Sequence, residues 1–428
     1  MIYTSEFQSA SKLAHIQQFD KYAFRFACKN GDLEVAKQFV HIHPSALNVS
    51  ADDEYAFRLA CSNGHLEVAK WLVESYPQIN IFARDNEAFI SACQNGHLEV
   101  AKWLVESYPQ INISARDDYA FRYTCSNGHI EVAKWLVDSY PQINISALED
   151  YAFRLACSNG HLEVAKWLVE SYPQINISAY GNGAFRGACC YGYLEIAKWL
   201  VDSYPQINIS AHNHYAFRYS CENGHLEVAK WLVEICPSAA NVHIDNDTFI
   251  YACTNGNLEL VKWLISINPS VGNLLICDNV FVSTCEYGQL EVAKWLVNSY
   301  QSVINIHANN ECAFRSACWR GHLEVAKWLV QICPSINIFA HDDDAFRSAC
   351  SNNHIEVAKW LVQNCTYHYV VELDQTWSWT QSWSWKVRPI QEVKWLERAV
   401  PILAYNSKTP NIFQMLNHDT MRYICEFV

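Results

Sequence analysis

The feature that most constrains this chain is a short sequence that recurs along nearly its whole length. ACSNGHLEVAKWLV, at Ala60–Val73, returns in slightly altered form at steps of 32 or 33 residues. A fixed period in this range predicts a solenoid, because so short a unit buries its apolar face only against neighbouring units. One glycine marks each copy, and asparagine takes its place in the last: Gly31, Gly64, Gly96, Gly128, Gly160, Gly192, Gly224, Gly256, Gly288, Gly321 and Asn353.

Each unit has the pattern of two helices joined by a tight turn. In YAFRLACS, Phe57, Ala60 and Cys61 fall on one face, which predicts a first helix. Gly64 follows at the place where a helix ends in the left-handed conformation, which asparagine also tolerates. A second helix is predicted from the apolar stripe Leu66, Ala69, Leu72, Val73 and Tyr76.

Pro77 ends the second helix, and QINIFARDN predicts a short extended segment followed by a turn. Helix, glycine turn, longer helix and extended finger are the layout of ankyrin repeats. NGHLEVAKWLVE resembles the second helix of that family and PQINISARDD its finger, whereas YAFRLAC departs from the family's T-P-L-H-x-A at the first helix. The resemblance implies an all-α solenoid over residues 22–365.

Eleven repeats are expected in that range, starting near residues 22, 55, 87, 119, 151, 183, 215, 247, 279, 312 and 344. Residues 1–21 are expected to form an N-terminal capping segment. Residues 366–428 are expected to form a non-repeat C-terminal cap with a Trp-rich segment, because the terminal units of a solenoid need a polar outer face.

Composition limits the kinds of partner and the cellular compartment that are expected for this chain. With 31 Lys+Arg against 44 Asp+Glu the chain carries −13, which argues against nucleic acid as a partner. No apolar run is long enough to cross a bilayer, and the first residues lack a secretory pattern. The eighteen cysteines are therefore expected to be reduced thiols inside a cell. Long arrays of this W- and C-rich kind are similar to the ankyrin proteins of giant DNA viruses of amoebae, which implies a viral protein in the host cytosol.

Cysteine and histidine recur together, as in Cys61 and His65, and this raises the question of a metal site. Neighbouring repeat cysteines are expected about 10 Å apart, in separate layers, and one Cys/His pair supplies too few ligands for zinc. We therefore predict free, buried cysteines with a packing role, no metal and no cofactor. Eleven cysteines share this position: Cys28, Cys61, Cys93, Cys125, Cys157, Cys189, Cys221, Cys253, Cys285, Cys318 and Cys350.

The tryptophans fall into two groups. Ten of them, from Trp71 to Trp360, follow the lysine of each second helix, and we predict that they pack layer on layer; an exposed aromatic rail is the alternative. TWSWTQSWSWK instead places tryptophan at alternating positions, which predicts two short strands joined by a turn. That hairpin either caps the last repeat or offers a contact surface.

The arginine of YAFR recurs in most units. We predict that it bonds to the finger or to the next unit; a phosphate-binding ladder is disfavoured because the nearby finger tips are acidic, as in Asp52–Glu54. In the ankyrin family the finger tips and the exposed side of the first helix line a concave groove that binds proteins. Both places vary between the copies of this chain, so we predict that a protein partner with a basic or polar surface contacts Tyr123, Tyr151, Tyr215, Tyr219 and Asp118.

Two stretches depart from the pattern. NPSVGNLLICDNVFVSTCEYG, in units eight and nine, predicts either a bend in the stack or an apolar docking patch. MLNHDTMRYICEFV, at Met415–Val428, resembles the opening helix of an F-box, so a ubiquitin-ligase adaptor is the alternative to a monomeric binding scaffold; an amphipathic capping helix is the simpler reading. No catalytic motif is present in the sequence, so no enzyme activity is predicted.

Overall fold

In a computed structural model of the chain, the residues described are 21–42, 48–238, 246–267, 277–364, 369–373 and 385–389. The chain divides into two compact parts, one made of Met1–Ser220 with Lys230–Leu232 and the other of Cys221–Ala229 with Val233–Val428. Each part is a succession of helix pairs, and within the described ranges of the array every regular element is an α-helix. The predicted all-α fold is confirmed for the array.

The helices alternate along the chain as the repeat predicts. The first helix of each unit lies at 21–30, Ala51–Ser62, Ala83–Gln94, Ala115–Ser126, Ala147–Ser158, Ala179–Cys190, Ala211–Glu222, Asn246–Thr254, Asp278–Glu286, Ala308–Trp319 and Ala340–Ser351. The second helix lies at Leu33–Ile42, Leu66–Ser75, Leu98–Ser107, Ile130–Ser139, Leu162–Ser171, Leu194–Ser203, Leu226–Ile235, Leu258–Ile267, Leu290–Tyr300, Leu323–Ile332 and Ile355–Asn364.

The core follows the two apolar stripes. Phe57, Ala60 and Cys61 of the first helix are buried as predicted. On the second helix the core residues are Val68, Ala69 and Leu72. The predicted stripe omitted Val68 and included Leu66, Val73 and Tyr76, which are only half-buried, because the helix presents the face centred on Ala69 to its neighbours.

The turn between the helices has the predicted left-handed residue. Gly64 has a φ of +80°, and Asn353, its equivalent in the last unit, has a φ of +62°. The N–H of His65 returns to the carbonyl of Ala60 at 2.9 Å, which closes the end of the first helix.

The connection between units differs from the predicted extended finger. Tight turns replace it: the Ile79 N–H donates to the Tyr76 carbonyl at 3.0 Å, and the Ala83 N–H donates to the Asn80 carbonyl at 3.1 Å. Three left-handed residues follow before the right-handed helix begins. Pro77 and the residues after it suggested an extended segment. In the structure the chain turns here, with Ile79 and Ile81 buried and Phe82 exposed.

The repeat cysteines lie where packing alone explains them. Ten of the eleven are buried and Cys350 is half-buried. Burial raises the pKa of the Cys28 thiol to about 12 and that of Cys350 to about 11, and it raises the pKa of Cys61 further. No group of three or more metal-binding side chains is present among the described residues.

Buried thiols with raised pKa values should react slowly. We expect iodoacetamide at pH 8 to label the repeat cysteines of the native protein at least ~100-fold more slowly than in denaturant, since the thiolate is both scarce and covered. Mass spectrometry of the labelled peptides measures each site separately. Fast native labelling of Cys61 or Cys125 would contradict the buried packing role.

Tryptophans of the second helices contact aromatic rings on two sides. Trp71 meets Tyr76 of its own unit edge to face, with ring centroids 6.1 Å apart. Trp328 meets Phe281 of the preceding unit at 6.5 Å. These contacts agree with the predicted packing between layers, and the indoles remain half-exposed.

The departures from the repeat are described only in part. Val280 and Phe281 are buried core residues of unit nine, whereas the apolar residues 274–276 lie outside the described ranges. Past the array, two strands at Tyr369–Leu373 and Trp385–Pro389 pair antiparallel, with Val371 opposite Val387. The first strand lies before the Trp-rich run, and the second begins at Trp385, its last tryptophan. Residues 1–20, most of that run and the F-box-like segment lie outside the described residues.

Candidate partner-binding face

A one-turn left-handed segment opens the first helix in eight units. Asp117, for example, has φ 55° and ψ 55°, and both its neighbours share this conformation. Left-handed backbone costs about 1–2 kcal/mol per residue for most side chains, and Asn, Asp, His and Gly tolerate it best. The tips accordingly read DDE, RDN, RDD, LED, YGN, HNH, NNE and HDD. The left-handed backbone therefore explains much of the polar composition of the tips. The sequence pattern alone did not indicate this cause.

The recurrent arginine stabilises this left-handed turn. In unit four, Arg122 donates from Nε to the Asp117 carbonyl at 2.7 Å and from Nη2 to the Arg116 carbonyl at 2.8 Å. Arg58 and Arg315 make the same pair of bonds in their own units. The predicted bond from this arginine to the finger is confirmed, and its partner is the backbone.

Unit three lacks the arginine and shows how the turn is held without it. Ile90 is buried in that place, yet Arg84, Asp85 and Asn86 keep the left-handed conformation. Arg116 of the next tip donates to the Arg84 carbonyl at 2.9 Å. One of the two carbonyl acceptors is thus served from a neighbouring unit.

The third residue of the turn is buried and joins consecutive units. Asp118, which was predicted to contact a partner, is 5% exposed and accepts a 3.0 Å hydrogen bond from the backbone N–H of Asn144. Asp150 does the same for Asn176 at 3.0 Å. The structure thus places Asp118 inside the array, with its carboxylate bound to the next unit.

The other predicted site residues lie together on the exposed side of the first helices. Tyr119 and Tyr123 stack with centroids 4.0 Å apart, and Tyr123 lies 6.5 Å from Tyr151. Tyr215 and Tyr219 form a second stacked pair at 3.9 Å. The four predicted tyrosines are half-buried, so each ring is fixed by neighbours and still reaches solvent.

Guanidinium groups lie between the rings of successive units. Arg122 is 5.6 Å from the centroid of Tyr119 and 5.3 Å from that of Tyr151. Arg154 continues the series, 5.2 Å from Tyr151 and 4.8 Å from Tyr180. Arginines bound to the backbone thus also hold the rings by cation–π contact.

Unit six continues this series of rings and guanidinium groups with a tyrosine at a different position, which the sequence pattern did not indicate. Gly183 stands where units two, four, five and seven have tyrosine. The ring is supplied instead by Tyr180, the first residue of the left-handed turn. Arg186 lies 5.9 Å from the ring of Tyr180 and 4.8 Å from that of Tyr215. We call the six tyrosines on this side the tyrosine face; they are Tyr119, Tyr123, Tyr151, Tyr180, Tyr215 and Tyr219.

Two tyrosines of this face have a raised pKa, so their hydroxyls stay protonated at neutral pH. Burial raises the pKa of Tyr215 to about 12, with further contributions from the nearby Tyr219 and Cys190. Burial likewise raises the pKa of Tyr151, and its hydrogen bond with Tyr123 adds to this. Tyr151 and Tyr215 therefore offer fixed rings with neutral hydroxyls at the edge.

Exposed carboxylates of the turns lie close in sequence to these tyrosines. Asp117 and Glu149 are the second residues of their turns, two positions before Tyr119 and Tyr151, and both are exposed. In units two and three the equivalent Asp53 and Asp85 form ion pairs with arginines of the following tips, at 3.1 and 3.2 Å. Negative charge thus borders the tyrosine face.

The second helices present a different, uniform surface. Lys166 and Glu163 face each other at 3.8 Å with the glutamate 80% exposed, and Lys102 with Glu99 repeats the pair at 3.7 Å. Exposed pairs of this kind contribute little to stability. Because the sequence of these helices hardly changes, they distinguish one unit from another poorly.

The recurrent histidine packs on the glycine of the preceding unit. His65 donates from Nε2 to the Lys29 carbonyl at 2.8 Å, and its ring covers Gly31. In unit nine glutamine replaces this histidine, and Gln289 donates to the Thr254 carbonyl of the preceding unit at 2.8 Å. The Cys/His repetition is therefore a packing feature of two separate contacts.

These histidines make stability depend on pH. Burial lowers the pKa of His97, His129 and His161, with His97 and His161 further lowering that of His129. A lowered pKa in the folded state gives stability that is present above the unfolded value of about 6.5 and is lost as pH falls through the folded value.

We therefore expect a lower thermal midpoint at pH 5 than at pH 7.5, measured by circular dichroism. Replacing His97, His129 and His161 together by glutamine, which the array already uses at Gln289, should flatten this dependence. A variant with unchanged pH dependence would exclude these rings as its source.

Comparison with known protein families identifies the class. The family model described as Ankyrin repeats (3 copies) matches residues 24–117, 121–213, 186–273, 249–342 and 281–372. These matches cover well over half of the chain, which therefore belongs to the ankyrin-repeat family. No curated protein sequence matches it. None of the described helices has the length and apolar character needed to span a membrane.

Proposed function

We propose that this chain is a binding scaffold that holds a protein partner on the tyrosine face. Ankyrin repeats generally mediate protein–protein interaction, and this face combines what a specific contact needs. The observation that carries the proposal is that two pairs of tyrosines stack, one in unit four and one in unit seven. Their ring centroids are 4.0 and 3.9 Å apart, and tyrosines of the units between them continue the series. Rings already fixed in place lose little freedom on binding and are favoured at the centres of interfaces.

The partner should present cationic side chains. The exposed Asp117 and Glu149, each two positions before a tyrosine of the face, offer carboxylates to such side chains. The rings themselves already contact arginines of the array, so the carboxylates carry this expectation. The net charge of −13 acts in the same direction over longer distances. Binding should accordingly weaken as salt is raised, since exposed charges are screened. Asp118 takes no part in this proposal, because its carboxylate is bound inside the array.

The test compares affinity captures from native cells by three forms of the full-length chain. The Tyr123→Ala/Tyr219→Ala variant should lose a protein that the unaltered chain retains, with an affinity loss of about 2 kcal/mol or more. The Glu163→Lys/Lys166→Glu variant, which exchanges an exposed ion pair without changing net charge, should retain it. Loss in the exchanged variant alone would place the binding surface on the second helices.

A conservative variant separates binding from folding. Tyr123→Phe/Tyr219→Phe keeps the stacked rings and removes only the hydroxyls, so it should fold like the unaltered chain and retain most of the capture. If the alanine variant is unfolded, its loss of capture does not test the binding surface. The test is then the salt dependence of capture by the phenylalanine variant. Salt-independent capture would contradict the cationic partner.

We further propose that the protein is a monomer in the cytosol of a host cell and that it has neither nucleic-acid ligands nor enzyme activity. This part of the proposal is based on the composition and on the viral resemblance. The alternative, a ubiquitin-ligase adaptor, depends on Met415–Val428, which lies outside the described residues. Deleting that segment separates the two: a ligase subunit that co-purifies with the full chain and is lost on deletion would establish the adaptor.

A further inference from the structure

One cluster of side chains in unit ten has no counterpart among the other repeats in the ranges that the structure describes. At the end of the second helix of unit ten, the Cys333 thiol lies 3.3 Å from Nε2 of His307. On the other side of the same ring, Nδ1 lies 2.8 Å from Oε1 of Glu311. A thiol, an imidazole and a carboxylate are thus aligned in series, the order in which a nucleophile, a base and an orienting acid are arranged in covalent catalysis.

Cysteine, histidine and glutamate occur together at these three positions in only one unit of the sequence. Units two to six have tyrosine at the place of Cys333, and units two to seven and eleven have serine or phenylalanine at the place of His307. In unit seven, cysteine recurs as Cys236, but serine stands at the histidine position. The cluster is therefore not a by-product of the repeat.

The carboxylate determines which nitrogen carries the proton. Glu311 is 6% exposed and held in the left-handed conformation at φ 62°. Its Oε1 also accepts the Asn337 N–H at 3.3 Å, and no partner reaches its buried Oε2 in the structure. Because Oε1 accepts from Nδ1–H of His307, Nε2 is left with a lone pair directed at the thiol.

The reacting groups are accessible to solvent. Cys333 is half-exposed and the side chain of His307 is 43% exposed. The hydroxyl of Ser335 lies 3.2 Å from the sulfur and 3.3 Å from Nε2. The ring separates the thiol from the carboxylate, so these residues do not converge on one point as metal ligands do.

We propose that Cys333, with His307 as base and Glu311 as positioning residue, is a reactive thiol that exchanges with low-molecular-weight disulfides. The sulfur of Cys333 forms a bond to one sulfur of the disulfide, whose S–S bond breaks. Nε2 of His307 takes the thiol proton and passes it to the leaving thiolate, which departs as a thiol. Cys333 is oxidised to a mixed disulfide, and the leaving half is reduced.

The test uses the reduced full-length chain and 5,5′-dithiobis(2-nitrobenzoate), a small disulfide, with site-by-site quantification by mass spectrometry. At pH 6.5, Cys333 should form the mixed disulfide at least ~10-fold faster than the exposed Cys277, and His307→Gln should remove most of that advantage. At pH 9.5, where hydroxide ionises accessible thiols without help, the variant and the unaltered chain should react at similar rates.

Two controls keep the result decisive. His307→Gln should leave both the Cys277 rate and the thermal midpoint unchanged, so a general loss of structure is recognised. Glu311→Gln preserves size and should reduce the Cys333 rate at pH 6.5, and in that variant the rate should also recover at pH 9.5. Equal rates of Cys333 and Cys277 at pH 6.5, or a His307→Gln effect of the same size at both pH values, would overturn the proposal.

Discussion

Gly128→Ala is expected to lower the free energy of unfolding by about 3 kcal/mol. Gly128 has a φ of +81°, where an L side chain costs about 1–2 kcal/mol. A Cβ at this position would also collide with the ring of His161, which packs on the glycine from the next unit, and overpacking of this kind costs about 1–3 kcal/mol. Urea denaturation followed by circular dichroism measures the difference.

The His161→Ala variant separates the two causes. In the Gly128→Ala/His161→Ala double variant the steric part should vanish, so the two changes together should cost less than the sum of the single changes. The chain itself carries Asn353 at the equivalent place in its last repeat, after which the repeat does not continue. Strict additivity would mean that the histidine and the glycine are not coupled.

Arg122→Ala should have an effect of similar size, about 3 kcal/mol. Arg122 is 5% exposed, and its guanidinium donates to two carbonyls of the left-handed turn and lies between Tyr119 and Tyr151. Hydrogen bonds from charged donors contribute about 1.5–3 kcal/mol each, and the truncation leaves both acceptors without this donor. The free energy of unfolding from urea titration gives the value.

Arg122→Lys is the matched comparison. A lysine keeps the charge but cannot bridge two carbonyls in one plane, so we expect it to recover less than half of the loss. Arg320, exposed beside Glu286 at 3.0 Å, provides a surface arginine whose replacement by alanine should cost under about 1 kcal/mol. If Arg122→Ala and Arg320→Ala cost the same, the turn does not depend on its arginine.

The helical part of the fold was predictable because the period and the apolar stripes are local and strongly repeated. Glycine in the left-handed turn and buried cysteine on the first helix followed from residue chemistry alone. The left-handed turn at the tips was not predictable in this way, because Asp and Asn are also common in ordinary turns. The burial of Asp118 depends on a backbone N–H from Asn144, which lies 26 residues away.

The candidate site was predicted in part for the same reason. Variation between copies indicated four tyrosines that lie on the exposed side of the first helices, but it also indicated Asp118, which is buried. Variation did not reveal that Tyr180 replaces the tyrosine missing at Gly183, because Tyr180 lies three positions earlier in the chain. Its place in the series is shown only by its contacts with Arg154 and Arg186. The Cys333 cluster joins the start of the first helix of unit ten to the end of its second helix, 26 residues apart, which sequence spacing alone did not indicate.

The central claim, that the partner lies on the tyrosine face, is tested most directly by hydroxyl-radical footprinting of the full-length chain with and without its captured partner. Tyrosine side chains are oxidised readily and are resolved individually by mass spectrometry. We expect protection of Tyr123, Tyr151 and Tyr219 in the complex, with Trp167 and Tyr172, in and just after the second helix of unit five, unchanged. Protection of Trp167 and Tyr172 with the tyrosine face left unprotected would contradict the account.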